Sequence, residues 1–438
     1  MKRVLLLLIV GGLMVAAFFM PEPDSPEPVA TTTPDTIVAP SIQAFAFCPW
    51  ASTEGSLEAH LAVLAADSTA AKLTFPSAGE IRETRQLSLE GLAGVTFGLG
   101  SMPFEGQMPS VVEFTSDASV GVVAFGETML VGSGCAASIP KIWVLPGGST
   151  QAGDLLELQL FNPFPEDARV NVVMTSEGGF EPEESLDALS VNARSWRTID
   201  ISSLLPLRGS LAATIEVEKG VVIPAFLQIG TEDQALWTGV ERADRWEFPL
   251  VTAGGLEPFL VLSNPTALEV GYAIDRYGVR TSEVDVASGV LEPGRHARIP
   301  LGDLFDEPSG FEVRADGLVG AVIVGESEVG RAATGGAYTL ASTWLVPGLG
   351  SVPEARNELW ILNTSASQVT VTWAALNENG TDRSEKVAVA AGSSRSIRLP
   401  AVDASGFFIQ ATAPITIGAS MIRDSAVAYL APVPLPEP

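Results

Sequence analysis

The feature that most constrains this chain is a segment that returns at a fixed spacing. It runs from Trp143-Val-Leu-Pro146-Gly through a polar spacer to the strand-like LQLFNP, which ends at Asn162-Pro163. It returns as Trp246-Glu-Phe-Pro249 followed by LVLSNP, ending at Asn264-Pro265. A third copy reads Trp344-Leu-Val-Pro347-Gly followed by LWILNT, with Asn363 in the equivalent place. Both the Trp and the Asn landmarks keep a period of roughly a hundred residues, which marks a tandem array. An array of this kind sets the fold before any single residue does, because each copy must build the same unit.

Within each copy the apolar positions alternate. Leu156, Leu158 and Leu160 are interleaved with Glu157 and Gln159, and Val369, Val371 and Trp373 with Thr370 and Thr372. One apolar and one polar face is the pattern of antiparallel sheet covered on one side. Turn signals such as Glu177-Gly178-Gly179 and Asn379-Gly380 separate the strands. No helical period persists beyond the N-terminus. SSLLPLR (202–208) and LGDLFDEPSG (301–310) read as single turns crossing between sheets. Each copy also carries a late apolar run: GVVAF (121–125), VIPAF (222–226), GAVIV (320–324) and ITIGA (415–419).

About a hundred residues holding roughly seven short strands is the size of a β-sandwich and exceeds a propeller blade of ~40–50 residues. The expected fold is therefore all-β, with tandem Ig-like or fibronectin-like sandwiches at 45–142, 143–245, 246–343 and 344–431, and a Pro-rich tail over 432–438. The first unit diverges, since Ala65 stands where the others carry Asn. The Trp-x-x-Pro and Asn-Pro elements are expected to define the fold, Trp by burying a large area and Asn-Pro by ending a strand. They fall at the junction between successive units.

The chain starts Met1-Lys2-Arg3 and continues in an uncharged apolar run from Val4 to Met20. A basic start and an apolar core form an export signal. No clean cleavage site follows, so 1–20 is expected to be one transmembrane signal-anchor helix with its N-terminus in the cytoplasm and the rest outside; the alternative is a cleaved signal and a secreted chain. The segment 21–44, rich in Pro and Thr, reads as an extended linker. Cys48 and Cys135 are the two cysteines. In an exported chain such an isolated pair most simply forms one disulfide.

The chain has 52 acidic against 25 basic residues, a formal charge of −27, which disfavours nucleic acid and anionic lipid as partners. Two histidines, His60 and His296, lie in different repeats, so a triad or a His-based metal cluster within one unit is not expected, and each is expected at the surface. Ser138-Ile-Pro-Lys141 has Ser-x-x-Lys spacing, but Pro140 argues against the helix that motif requires. Asn377 to Asp382 reads as a hairpin turn rather than a calcium loop. No cofactor, metal or catalytic residue is expected, and the chain is read as no enzyme.

The N-terminal anchor, Cys48-Pro49, Gly134-Cys135-Ala136 and Trp143-Val-Leu-Pro146-Gly-Gly-Ser-Thr150 together resemble a family of actinobacterial exported proteins known only as a domain of unknown function. The excess of Arg over Lys and the Ala/Gly-rich content fit a high-GC organism. The resemblance implies a cell-envelope protein with tandem sandwich domains and carries no catalytic residues across. The function expected from all of this is a membrane-anchored structural or interaction protein of the envelope, with envelope proteins or glycans as partners. The alternative is a glycan-binding protein that uses its repeats together.

Overall fold

Among the described residues, strands account for nearly all the regular structure, joined by one four-residue α-helix, Ile201–Leu204, and two 3-10 turns. The computed structural model describes residues 42, 44–55, 57–230, 233–249, 254–305, 307–327 and 330–436. The anchor expected over 1–20, and all but the last residues of the linker expected over 21–44, lie outside the described residues. Among those described, no helix is long and apolar enough to cross a membrane.

Repeat 2 shows the unit most simply. One sheet runs Gly179–Glu181, Ala168–Ser176, Leu211–Lys219, Ile142–Gly148, with the leading strand Ile142–Gly148 at its edge. The other runs Ser195–Asp200, Leu155–Asn162, Ile223–Ile229, Gln234–Thr238, with the last strand of the repeat at its edge. In repeat 2 the chain changes sheets at Gly220, whose φ of +73° suits glycine. In repeats 3 and 4 a single long strand, Gly310–Glu326 or Gly406–Arg423, passes from one sheet into the other.

The two sheets of a repeat have different surroundings. The outer edge strands Glu80–Leu89, Ser282–Leu291 and Gly380–Val389 are mostly exposed and polar. The late apolar runs are buried along nearly their whole length, as in Ala118–Phe125 and Ile223–Ile229. A strand covered on one side needs alternation; these runs are continuous because both of their faces are covered. One face meets the repeat's own partner sheet and the other meets the neighbouring repeat.

That second cover closes the array into a ring. The last strands of the four repeats are Leu130–Gly134, Gln234–Thr238, Arg331–Gly335 and Ala426–Leu430. Each lies beside the next, and the fourth lies beside the first, so they enclose one axis. Farther out, the leading strand of one repeat lies on the next: Ile142–Gly148 on Glu257–Ser263, Ala243–Phe248 on Gly406–Arg423, and Ala341–Pro347 back on Ala118–Phe125 of repeat 1. The cores interlock in the same sense. The repeat 2 core takes in Val261, Val322 and Val324 of repeat 3, and the repeat 4 core takes in Val123, Phe125 and Leu130 of repeat 1. Ile42–Pro438 is accordingly one compact unit.

Two glycines of the repeated motif make this approach possible. Gly147 (φ +98°) and Gly348 (φ +85°) lie directly over the next repeat, where an added Cβ would stand 2.6 Å from Val324 Cγ2 and 2.5 Å from Val123 Cγ2, respectively. Gly348→Ala is expected to lower stability by about 3 kcal/mol, combining left-handed backbone strain with overpacking at the 4–1 seam. Urea unfolding of the variant with an unchanged midpoint would show that the seam is not tightly packed.

Polar ties join each pair of neighbours. Gln107 Nε2 donates to Gln159 Oε1 (2.8 Å) between repeats 1 and 2, and Arg331 Nη1 to Asp154 Oδ2 (3.3 Å) between 3 and 2. Ser394 Oγ donates to the Tyr277 carbonyl (2.7 Å) between 4 and 3, and Thr96 Oγ1 to Ser405 Oγ (3.0 Å) between 1 and 4.

Candidate functional site

The recurring residues are turned inward. Trp143, Trp246 and Trp344 are almost fully buried. The residue after each Trp bridges the segment that leaves the last strand of the same repeat: Val144 to Val240, Glu247 to Ala337, and Leu345 to Val433. Repeat 1 does the same through Phe47 and Ala136. Ala46-Phe47-Cys48-Pro49 is therefore its version of Trp-x-x-Pro, with Ala in place of Trp. The Pro-rich tail is shorter than the sequence suggests, because Val433–Pro434 pairs with the leading strand of repeat 4 in the place that a covalent crossover fills elsewhere.

Cys48 and Cys135 form a disulfide that spans 87 positions. They flank the Phe47–Ala136 bridge just as Phe248 and Gly336 flank the Glu247–Ala337 bridge. At that place in repeat 3 the Phe248 ring fills the space where a Gly336 side chain would be, with a ring atom 2.6 Å from the ideal Cβ. Repeat 1 closes with a covalent bond where repeat 3 closes by packing.

The three Asn residues share one network, and each is fully buried. Asn162 Nδ2 donates to the carbonyls of Glu166 (2.7 Å), Val191 (3.1 Å) and Asn192 (3.1 Å), while Oδ1 accepts from Phe164 N (3.0 Å). Asn264 makes the same bonds to Leu268, Leu291, Glu292 and Thr266, and Asn363 to Ser367, Val389, Ala390 and Ser365. Pro163 and Pro265 follow Asn at the strand end and offer no N–H there. In repeat 1, which has Ala65, Ser68 Oγ accepts from Gly91 N (3.1 Å) near the same corner. Asn264→Ala is expected to destabilise by about 3 kcal/mol, since it leaves buried carbonyls without donors. Asn264→Asp should be worse, because its second oxygen would face those carbonyls; equal stability of the two variants would refute the network.

Both histidines depart from the surface expectation. His296 is buried between repeats 2 and 3, with Nδ1 3.0 Å from Thr175 Oγ1 and Nε2 3.0 Å from Ser210 Oγ. Burial pulls its pKa down to about 4, with Arg295 adding to the shift. His60 is half-buried, edge-on to Phe125 at 5.3 Å, and burial lowers its pKa. Alternation gave no sign of either, because the cover comes from another repeat or from a sheet buried on both faces.

The other motifs resolve into local structure. Ser138 donates to Glu241, and no helix joins it to Lys141. Asn377 Oδ1 accepts from Asn379 N (2.9 Å) in a hairpin turn. Among the described residues no group of His, Cys, Asp or Glu is placed to hold a metal ion.

What brings all four repeats together is the axis. At one end sits Asp233, 4 % exposed. It accepts from Gln234 N of repeat 2 (2.8 Å) and Arg331 N of repeat 3 (3.2 Å), and the N–H groups of Leu130 in repeat 1 and Val427 in repeat 4 also face it. Each innermost strand is laddered on one edge only. Asp233 satisfies donors that this leaves over. Burial outweighs those donors and pushes its carboxyl up to about 7.

At the other end the axis opens into a funnel of about 310 Å³. Its wall takes Cys135 and Ala136 from repeat 1, Trp143, Thr238 and Glu241 from repeat 2, Gly335 and Tyr338 from repeat 3, and Pro432 and Pro434 from repeat 4. Tyr338 is 50 % exposed and stands edge-on to Trp246 at 5.4 Å. Its phenol faces Glu241, and burial followed by that carboxylate raises the phenol's pKa. The rim and walls of this funnel, to which Trp143 and Trp246 of the repeated motif contribute, form the candidate binding site.

Residues 105–400 match the family of unknown function DUF5719. The chain belongs to that family. No curated protein matches the chain. Among solved structures, the crystal structure of a tetra-tandem repeat in the extending region of a large adhesion protein aligns at 13% identity over 85% of this chain and 93% of that one. Its TM-score is 0.11, too low to inform either fold or function.

Proposed function

We propose that this DUF5719 protein is a non-catalytic interaction protein of the actinobacterial cell envelope. It is exported, anchored by a transmembrane helix at 1–20 and built from Ig-like or fibronectin-like sandwiches. The observation that carries the proposal is the convergence of four repeats on one funnel while the recurring Trp and Asn residues serve the fold. A closed ring suits a rigid platform for a partner better than an extended spacer. The basic-then-apolar start and the Cys48–Cys135 disulfide support an oxidising location outside the cytoplasm. The charge of −27 speaks against nucleic acid.

The alternative, envelope glycan binding with avidity from separate repeat sites, is weakened by the closure, which directs the repeats toward one site. The test is a photo-crosslinker at Tyr338 in the anchored protein in its host. A discrete crosslinked envelope protein is expected. Labelling of cell-wall glycan alone would favour the alternative, and turnover of an envelope substrate by the purified ring would overturn the non-catalytic assignment.

A further inference from the structure

We infer that the funnel takes a cationic side chain, a lysine or arginine on an extended segment of a partner polypeptide, with Glu241 as counter-ion and Tyr338 as the aromatic wall. The inference rests on the funnel being the interaction site and adds the chemistry of what enters it.

Charge is the first ground. Among the described residues that line the funnel, Glu241 is the single charged one; the rest of the wall is largely Gly, Ala, Pro, Val and buried aromatics. A lone carboxylate in such a wall selects for a cation, and the overall charge of −27 draws cations toward the ring. The carboxylate is also held in place. Ser138 donates to it from repeat 1, which occupies part of its acceptor capacity and leaves the rest open, and the Tyr338 phenol faces it from repeat 3.

Aromatic geometry is the second ground. Tyr338 is half exposed and fixed at 74° to Trp246, so its ring is held as a wall beside the carboxylate. A cation near such a ring gains about 0.5–2 kcal/mol.

Size and backbone supply the third. At about 310 Å³ the funnel lies at the small end of ligand sites, enough for one long side chain with adjoining backbone. The four strands around it are each laddered on one edge, so an extended segment entering the axis meets backbone groups outside any ladder.

The test uses the purified protein, at low ionic strength, with two probes: acetyl-Ala-Ala-Lys-Ala-Ala-amide and the same peptide with Gln for Lys. Binding is followed by the NMR shifts of the Tyr and Trp side chains. The lysyl peptide is expected to bind at least about fivefold more tightly than the glutaminyl one. Glu241→Gln should abolish that preference, and Tyr338→Leu should weaken the lysyl peptide about threefold while Ser138 still anchors the carboxylate. Glu385→Gln, the same charge change on the exposed strand Gly380–Val389, should leave the preference intact. Equal affinity for the two peptides, no binding of either, or an equal loss in Glu385→Gln overturns the inference. Crosslinking from Tyr338 reports a partner whatever its charge, so a failed peptide test with a crosslinked partner removes only the cation and keeps the site.

Discussion

Replacing Asp233 with Ala should destabilise the ring by about 3–5 kcal/mol, although the side chain is a polar group outside the apolar cores of the repeats. The reason is its place on the axis. Backbone donors from all four repeats converge on it, and each donor left buried without an acceptor costs about 1–3 kcal/mol, partly offset by no longer burying a carboxyl group. Asp233 also gives the ring a distinctive pH response. Its carboxyl titrates near 7 in the folded chain against an ordinary value of 3.8. Between those values the folded state keeps a proton that the unfolded state has lost. Stability from this group is therefore fully present below about 3.8 and falls as pH rises toward 7, by about 1.4 kcal/mol per unit at most and about 4 kcal/mol in all.

His296 acts in the opposite sense. Its folded pKa of about 4 lies below the ordinary 6.5, so its contribution is full above 6.5 and is lost as pH falls toward 4. The two slopes offset each other between about 4 and 6.5. Urea unfolding at several pH values should then show Asp233→Asn losing stability relative to the parent as pH falls through this window. His296→Gln should gain stability relative to the parent over the same range. Differences from the parent isolate each group from the other carboxylates. Parallel curves for all three proteins would show that neither group is held away from its ordinary pKa by the fold.

The second large effect concerns the staple. The Cys48–Cys135 bond closes a loop spanning 87 positions, and chain entropy assigns such a loop about 4–5 kcal/mol. The double variant Cys48→Ala, Cys135→Ala should lower stability by about 3–5 kcal/mol. Repeat 1 lacks the buried Trp that occupies this position in the other three, having Ala46 instead. Its leading strand Ala44–Cys48 pairs along Ser110–Phe114, and Phe47 reaches the repeat 2 core. Loosening this strand should expose the 1–2 interface first, visible as early loss of amide protection over 44–48 and 110–114. A cost under 1 kcal/mol, or uniform loss of protection around the ring, would show that packing alone holds repeat 1.

The sequence by itself determined the unit. A period near a hundred residues, alternation in the outer strands and Gly-rich turns made an all-β tandem array legible, since a strand with one covered face must alternate. The cysteine pair pointed to the Cys48–Cys135 disulfide. The partners of Asn162, Asn264 and Asn363 were not legible, because their amide groups reach carbonyls across the sandwich that lie 26 to 30 positions away as well as the local turn. Nor was the burial of His296, whose two hydroxyl partners belong to another repeat.

Closure was decided by tertiary structure alone. The runs GVVAF, VIPAF, GAVIV and ITIGA record that two faces are covered but not by what. Only the ring supplies the second cover, and only the ring brings Asp233, Glu241 and Tyr338 to a common axis. Period and pattern are local properties of a chain. The angle between successive units, which decides whether four of them close, depends on how side chains such as Val123, Val324 and Gly348 fit across each seam, and no periodicity encodes that fit.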